Sequence, residues 1–336
     1  MIIQLQKNID KTKFDSIQEM LNQNSIKSNF VKTQLNDYLV CFSKTKFDIR
    51  KIGHLEGVQD VHSVTDDYKL VSKKWKLTNT TIDLGEGLIY EAGNPIVIAG
   101  PCSVENEKQM ELVVEHLVRN NIKIIRGGVF KPRSSPYSFR GLGIEGLKMM
   151  HELCVPHNIK IVTEVMQVSQ IEEMLPYVDV FQVGARNSQN FNLLDALGSL
   201  NKLVLLKRGI SGTIDELLQS AEYVFSKGNE KIILCERGIR TFETAYRNTF
   251  DINAIQVLKE KSHLPVIADP SHGVGIRDHV SKLALASLVS GADGVIFEVH
   301  PTPEEALSDG QQTLNFEESD KLIKQIRALR PFLISN

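Results

Sequence analysis

The chain has 336 residues, of which 42% are hydrophobic and 24% charged, and its formal net charge is −2. This is an ordinary globular composition with ample material for a core, and it provides no global field to attract nucleic acid or an anionic membrane. No apolar run approaches the roughly 20 residues of a membrane span. The opening Met1-Ile2-Ile3-Gln4-Leu5 turns polar too soon for a secretory signal, and Cys41, Cys102, Cys154 and Cys235 lie far apart without CxxC spacing, so a cytoplasmic chain with free thiols is expected.

Residues 1–70 read as one unit. Ile2–Leu5 is a strand, Phe14–Asn24 has helical apolar spacing, and Ser28–Thr33 and Tyr38–Phe42 are strands joined by a turn. Asp48–Leu55 reads as a second helix and Gly57–Val64 as a closing strand. The order βαββαβ predicts a small ferredoxin-like (ACT-like) domain with exposed sheet edges and one open face. His54 and His62 read as surface or packing residues. Residues 71–90 read as a linker and hairpin, with Lys73, Lys74 and Lys76 as a solvated basic run and Gly85-Glu86-Gly87 as the hairpin turn.

From residue 91 the pattern becomes rhythmic. Apolar runs at Ile96–Ala99, Ile122–Ile125, Ile159–Val162, Val180–Val183, Leu203–Leu206, Ile232–Leu234, Val266–Ala268 and Val295–Phe297 alternate with helix-period segments. These helical segments are Glu107–Val118, Leu142–Leu153, Val168–Leu175, Phe191–Leu200, Ile214–Phe225, Ala254–Leu258, His279–Val289 and Phe316–Leu329. Eight such units over residues 91–336 predict an α/β fold, a (β/α)8 TIM barrel, in preference to an open doubly wound sheet; there is no dinucleotide fingerprint.

In such barrels the functional residues sit at the C-terminal strand ends. Here those ends read Gly100-Pro101-Cys102-Ser103, Arg126-Gly127-Gly128, Thr163-Glu164, Gly184-Ala185-Arg186-Asn187, Lys207-Arg208-Gly209, Cys235-Glu236-Arg237-Gly238, Asp269-Pro270-Ser271-His272 and Glu298-Val299-His300. Cations at the second, fourth, fifth and sixth ends make a positive mouth suited to a phosphate and a carboxylate together. The segment Lys131-Pro132-Arg133-Ser134-Ser135-Pro136-Tyr137 after the second strand has the chemistry of a phosphate clamp. Cys102, His272 and Glu298, on neighbouring strands, with Asp309 following in a loop, offer S, N and O donors that suit a borderline or transition divalent metal rather than Mg²⁺ alone.

These motifs resemble the 3-deoxy-D-arabino-heptulosonate 7-phosphate (DAHP) synthases, type I, in the shorter subgroup with an N-terminal ferredoxin-like regulatory domain. The matching segments cover nearly all of residues 80–336, with Ser134 where many members have Thr. The resemblance implies condensation of phosphoenolpyruvate with erythrose 4-phosphate and release of phosphate, the first step of the shikimate pathway to aromatic amino acids. Cys102, His272, Glu298 and Asp309 would bind the divalent metal (Mn, Co, Fe, Zn or similar). Arg186, Lys207 and Arg237, with the Ala185 backbone, would hold the phosphate of phosphoenolpyruvate, and Arg126 and Lys131 its carboxylate. Arg133 and Ser134 would hold the sugar phosphate, and Glu164 would lie near the reacting carbon.

Lys131 is a reasonable proton donor and Glu164 a candidate to orient or deprotonate water, with Cys102 and His272 serving catalysis through the metal. The sister family, 3-deoxy-D-manno-octulosonate 8-phosphate synthases, typically has Lys-Ala-Asn-Arg-Ser where this chain has Lys131-Pro132-Arg133-Ser134, which favours the four-carbon aldehyde. A Schiff-base aldolase through Lys207 and a metabolite sensor with a dead barrel are the other readings. By the same resemblance the chain is a homo-oligomer, a tetramer being favoured, with tyrosine or phenylalanine bound between N-terminal domains (1–70) of different subunits.

Overall fold

A computed structural model describes residues 1–43, 47–85, 88–90, 94–132 and 135–334. The N-terminal unit runs β1 (Ile2–Leu5), α1 (Lys11–Gln23), β2 (Lys27–Lys32), β3 (Asp37–Phe42), α2 (Arg50–Gly53) and β4 (Val58–His62). Its sheet is antiparallel in the order β2-β3-β1-β4. Alternation divides the strands: Ile3, Leu5, Leu39 and Cys41 face α1 and α2, while Ile2, Tyr38 and Val40 face the opposite way. The second helix is shorter than its expected span of Asp48–Leu55.

A short hairpin, β5 (Ile82–Asp83) and β6 (Ile89–Tyr90), precedes the large unit; Glu86 and Gly87 of its expected turn lie outside the described residues. The large unit then runs β7 (Ile96–Gly100), α3 (Glu107–Arg119), β8 (Ile124–Arg126), α4 (Gly143–Cys154), β9 (Lys160–Glu164), α5 (Ile171–Met174), β10 (Val180–Val183) and α6 (Phe191–Gly198). It continues through β11 (Leu203–Lys207), α7 (Ile214–Ser226), β12 (Ile232–Glu236), α8 (Ile252–Lys261), β13 (Val266–Ala268), α9 (Pro270–Val274), α10 (Arg277–Val289), β14 (Gly294–Glu298) and α11 (Phe316–Ile334). Strands β7 to β14 close into a parallel barrel, with β14 beside β7.

Two strands begin later than their apolar runs suggest, and the reason is local. At the end of α3, Asn121 takes a left-handed conformation and the Ile122 N–H donates back to Leu117 O; at the end of the α4 segment Asn158 and Ile159 repeat this with Cys154 O. Each isoleucine therefore belongs to a helix C-cap rather than to the strand. Val168–Leu175 is a 3₁₀ turn followed by the single turn α5 instead of one helix, whereas α8 is longer than expected because Asp251 caps it.

Inward positions recur every second residue, so Ile98, Ile124, Val162, Val180, Leu203, Leu205, Ile233, Cys235, Ile267 and Ile296 fill the barrel interior. Ile82, Leu84 and Leu88 of the hairpin segment pack against this cluster from the N-terminal end. Outward positions such as Val204, Leu206 and Phe297 belong to the layer between strands and helices. No helix among the described residues is long and apolar enough to cross a membrane.

The face of the N-terminal sheet expected to be open is covered. Tyr38 packs edge-on against Trp75 and Phe225 of α7, and Trp75 and Phe225 also contact His263. Glu230 accepts hydrogen bonds from Thr33 Oγ1 (2.6 Å) and the Leu35 N–H (3.1 Å), and Glu222 accepts the N–H groups of Leu70 and Val71. The basic run is likewise not a solvated linker: Lys73 Nζ donates to Lys259 O, Trp75 is buried and Lys76 half-buried, and only Lys74 is exposed, paired with Asp66.

His263 sits at the centre of this junction, 1% exposed. Its Nε2 faces Leu70 O (2.8 Å), which can only accept, so Nε2 carries the proton and Nδ1 accepts from Thr80 Oγ1 (2.7 Å). Burial, reinforced by the nearby charges of Lys76 and Lys73, pushes its pKa down from 6.5 to about 3. The unfolded chain binds a proton there that the folded chain excludes. Stability from this site is therefore full above 6.5 and is lost as pH falls toward about 3, at up to about 1.4 kcal/mol per pH unit. Thermal midpoints of the native chain should fall more steeply over that interval than those of a His263→Asn variant; parallel curves would contradict the assignment.

Candidate functional site

The alternation that fills the barrel with isoleucine and leucine also decides what tops it. Continued toward the C-terminal end, the inward positions become Arg126, Glu164, Gln182, Lys207 and Glu298, with Arg237 and Asp269 just beyond their strands. Most line or underlie one cleft of about 190 Å³ at the barrel mouth, together with Lys131, Ala185, Arg186, Arg240, Arg247, Asn248, His272 and Asp309. Two glycines make room. A Cβ on Gly100 (φ +154°) would lie 2.0 Å from Arg126 O, and one on Gly184 would lie 2.1 Å from Glu164 Oε1. The first holds β7 against β8; the second leaves space for the Glu164 carboxylate.

On one side of the cleft, donor atoms of Cys102, Glu298 and Asp309 all lie within 4.8 Å of one another. Cys102 Sγ is 3.4 Å from Asp309 Oδ2. His272 Nε2 stands 3.4 Å from Glu298 Oε1 and 3.8 Å from Asp309 Oδ2. The imidazole is aimed by its own helix: Asp269 caps α9, accepts the His272 N–H, and places Oδ2 2.8 Å from Nδ1. Asp309 is held in a left-handed conformation (φ 56°). Lys131 Nζ lies 3.1 Å from Cys102 Sγ and donates to Cys102 O (2.9 Å).

The electrostatics of this group are those of a site prepared for a cation. Burial pushes the Cys102 thiol up to about 11, helped by the Glu298 charge. Burial also works against ionised Asp309 and Glu298, but His272 with Arg247 holds Asp309 at about 2, and His272 with Arg126 keeps Glu298 below its ordinary value. Two ionised carboxylates and a thiol converge, and an imidazole whose Nδ1 faces Asp269 brings its Nε2 close to both carboxylates. Their chemistry fits a thiophilic or borderline divalent ion.

The other side of the cleft is cationic. Some of its charges are neutralised in place: Arg126 Nη1 donates to Glu298 Oε1 (2.8 Å) and Lys207 Nζ to Asp269 Oδ2 (2.5 Å). Arg237 differs. It is 6% exposed, and its recorded donations go to the carbonyls of Gly238 and His272. Among the described residues neither Arg237 nor the exposed Arg186 has an ion-pair partner. Burial depresses the Arg237 pKa; the nearby Asp269 carboxylate opposes this and the charge of Arg247 adds to it. A buried guanidinium with no carboxylate in direct contact is costly, and an arriving anion would relieve that cost.

Arg208, beside Lys207, points the other way and pairs with Glu236 and Asp251 outside the barrel. Arg133 and Ser134 lie outside the described residues. Sequence reasoning missed Arg240, Arg247 and Asn248, which come from the long segment between β12 and α8. Their signal was the density of arginine in that segment (Arg237, Arg240, Arg247), which is unusual for a connection.

A closed parallel barrel with a cationic mouth beside a mixed sulfur, nitrogen and oxygen donor set suits an enzyme that acts on phosphorylated substrates. Comparison with known proteins makes this particular: the chain belongs to the DAHP synthetase I family, whose profile matches residues 78–332. It is 48% identical over 279 residues to a phospho-2-dehydro-3-deoxyheptonate aldolase of Thermotoga maritima, covering 83% of this chain and 82% of that one. A crystal structure of phospho-2-dehydro-3-deoxyheptonate aldolase (DAHP synthase) from the same organism superposes with TM-score 0.79 at 41% identity, covering 99% of this chain and 97% of that one. A 2-dehydro-3-deoxyphosphooctonate aldolase of Syntrophotalea carbinolica is 30% identical over 267 residues, covering 74% of this chain and 95% of that one.

Replacing Cys102 or His272 by Ala should abolish retention of a divalent metal through dialysis while leaving the circular dichroism spectrum unchanged, because both lie at the barrel mouth, outside the apolar clusters of the core. Metal content equal to that of the native chain in both variants would contradict the donor set.

Proposed function

We propose that this chain is a metal-dependent DAHP synthase, condensing phosphoenolpyruvate with D-erythrose 4-phosphate to give 3-deoxy-D-arabino-heptulosonate 7-phosphate and phosphate. The observation that carries this reading is the buried Arg237, without an ion-pair partner among the described residues, lining one cleft with Asp309 of the Cys102–Glu298–Asp309 group. Arg186, Arg237 and Lys207, with the Ala185 N–H, hold the phosphate of phosphoenolpyruvate. Arg126 and Lys131 hold its carboxylate. Arg133 and Ser134 take the phosphate of the sugar. Cys102, His272, Glu298 and Asp309 hold the metal.

A divalent ion bound there supplies Lewis-acid polarisation of the aldehyde carbonyl. The residues of the chain do the rest. The arginines and Lys207 fix the enol phosphate so that its C3 meets the aldehyde carbon, a gain in proximity and orientation. As the C–C bond forms, Lys131 protonates the aldehyde oxygen; its Nζ already lies 3.1 Å from Cys102 Sγ. Glu164, in the space left by Gly184, orients a water that adds to C2 and accepts its proton. The C2 hydroxyl so formed then collapses to the ketone: its proton passes to the departing phosphate as the C2–O bond to phosphate breaks, and phosphate leaves within the cationic cluster, which stabilises the charge it carries away.

Residues 1–70 act in this reading as a ferredoxin-like regulatory domain, residues 71–90 as a connecting segment and hairpin, and 91–336 as the catalytic barrel of a cytoplasmic homo-oligomer, a tetramer. Tyrosine or phenylalanine bound between N-terminal domains is the inhibitor. What supports this is an N-terminal unit that, among the described residues, contributes none to the cleft yet is joined to the barrel through α7.

One assay tests both parts. Phosphate release from phosphoenolpyruvate should require erythrose 4-phosphate, proceed poorly with arabinose 5-phosphate, stop with chelator, and fall on addition of tyrosine or phenylalanine. Preference for the five-carbon sugar would transfer the chain to the sister activity. Borohydride trapping of Lys207 with full activity in chelator would instead indicate a Schiff-base aldolase. Indifference to both amino acids would remove the regulatory role.

A further inference from the structure

Behind the donor group lies a second layer that the reaction as described does not use. Gln312 is fully buried and sits at the end of the short helical turn Gly310–Gln312 that follows Asp309. Its Nε2 donates to Glu298 Oε2 (2.7 Å), and its Oε1 accepts from Arg247 Nη1 (2.6 Å). The same Arg247 nitrogen lies 3.3 Å from Asp309 Oδ1. Glu298, Gln312, Arg247 and Asp309 thus form a continuous chain of contacts, drawn from β14, the loop after it and the loop after β12.

We infer that Gln312, acting with Arg247, is a positioning residue that holds the Glu298 and Asp309 carboxylates in the arrangement a divalent cation needs. The inference rests on the metal reading above.

The physical argument concerns two like charges at close range. Glu298 and Asp309 repel one another without a cation between them, and Asp309 is carried on a loop rather than a strand. Each must be fixed from the side away from the metal. For Glu298, Oε1 is taken by Arg126 and Oε2 by Gln312. For Asp309, Oδ1 faces Arg247, leaving Oδ2 toward Cys102 and His272. An amide suits the central place. It must donate to a carboxylate at one end and accept from a guanidinium at the other, which a carboxylate or an ammonium cannot do at once. The partners also settle which way the amide points. Outer contacts of this kind typically tune metal affinity by about 10–100-fold.

The test is cobalt(II) titration of the metal-stripped full-length chain, followed by calorimetry and by the thiolate-to-cobalt absorption band. Gln312→Met, which keeps the volume but loses both hydrogen bonds, and Gln312→Glu, which adds a third carboxylate beside Glu298, should each weaken cobalt binding by about tenfold or more, with an altered absorption band. The melting temperature of the metal-free protein should change little, which separates positioning from folding. Arg247→Met provides a second route: its side chain is one-third exposed, so the fold tolerates it, and it should weaken binding in the same direction. Tight cobalt binding by the native chain that is unchanged in stable Gln312→Met or Arg247→Met protein would overturn this inference alone. Failure of the native chain to bind cobalt would overturn the metal reading and this inference with it.

Discussion

The structure depends on where its buried charges find partners. A barrel strand turns every second side chain inward, and in this chain that inward column is apolar until the last position, where it becomes Arg126, Glu164, Lys207 or Glu298. A ring of ionised groups at the end of a dry interior is unfavourable unless each charge is answered. Arg126 is answered by Glu298 and Lys207 by Asp269, in pairs almost wholly removed from water. Such pairs seldom add net stability, but removing one partner costs about 3–5 kcal/mol. They are better understood as holding a geometry. Arg237, and Arg186 nearer the surface, are left over, and the surplus positive charge is what an anionic substrate would neutralise.

The loops are fastened to one another as firmly as the strands. Ser103 Oγ lies 2.6 Å from Ser308 Oγ, tying the residue after Cys102 to the residue before Asp309. Glu105 accepts the Leu307 N–H (2.8 Å) in the same seam. The loop that carries the thiol and the loop that carries the last carboxylate therefore move as one, although 207 positions separate the two residues. Precision of this kind, built from contacts around the reacting groups rather than among them, is what a site based on positioning and charge requires.

Much of this was legible in the sequence, for reasons that can be named. The eight apolar runs are short, evenly spaced and bounded by polar loops, so the barrel and its strand ends could be read directly, and with them the juxtaposition of Cys102, His272 and Glu298. Ile122 and Ile159 were misplaced into strands because an apolar residue that closes a helix C-cap looks the same as one that opens a strand. The run Lys73–Lys76 looked solvated because lysine usually is; it is Trp75, docking on Tyr38 and His263, that draws the segment inward. Arg240, Arg247 and Gln312 stayed hidden because they reach the site from connections whose paths no periodicity describes.

The measurement that bears most directly on the central claim is the affinity of the metal-stripped chain for phosphoenolpyruvate, by calorimetry, in the native protein and in Arg237→Met. If the buried, unpaired guanidinium of Arg237 is the anchor for a phosphate, the native chain binds phosphoenolpyruvate without metal and the variant binds it at least about tenfold more weakly, the loss expected for one charge-assisted hydrogen bond of roughly 1.5–3 kcal/mol. Equal affinity in the two proteins would contradict the account, because the charge on which it turns would then be answered by something other than the substrate.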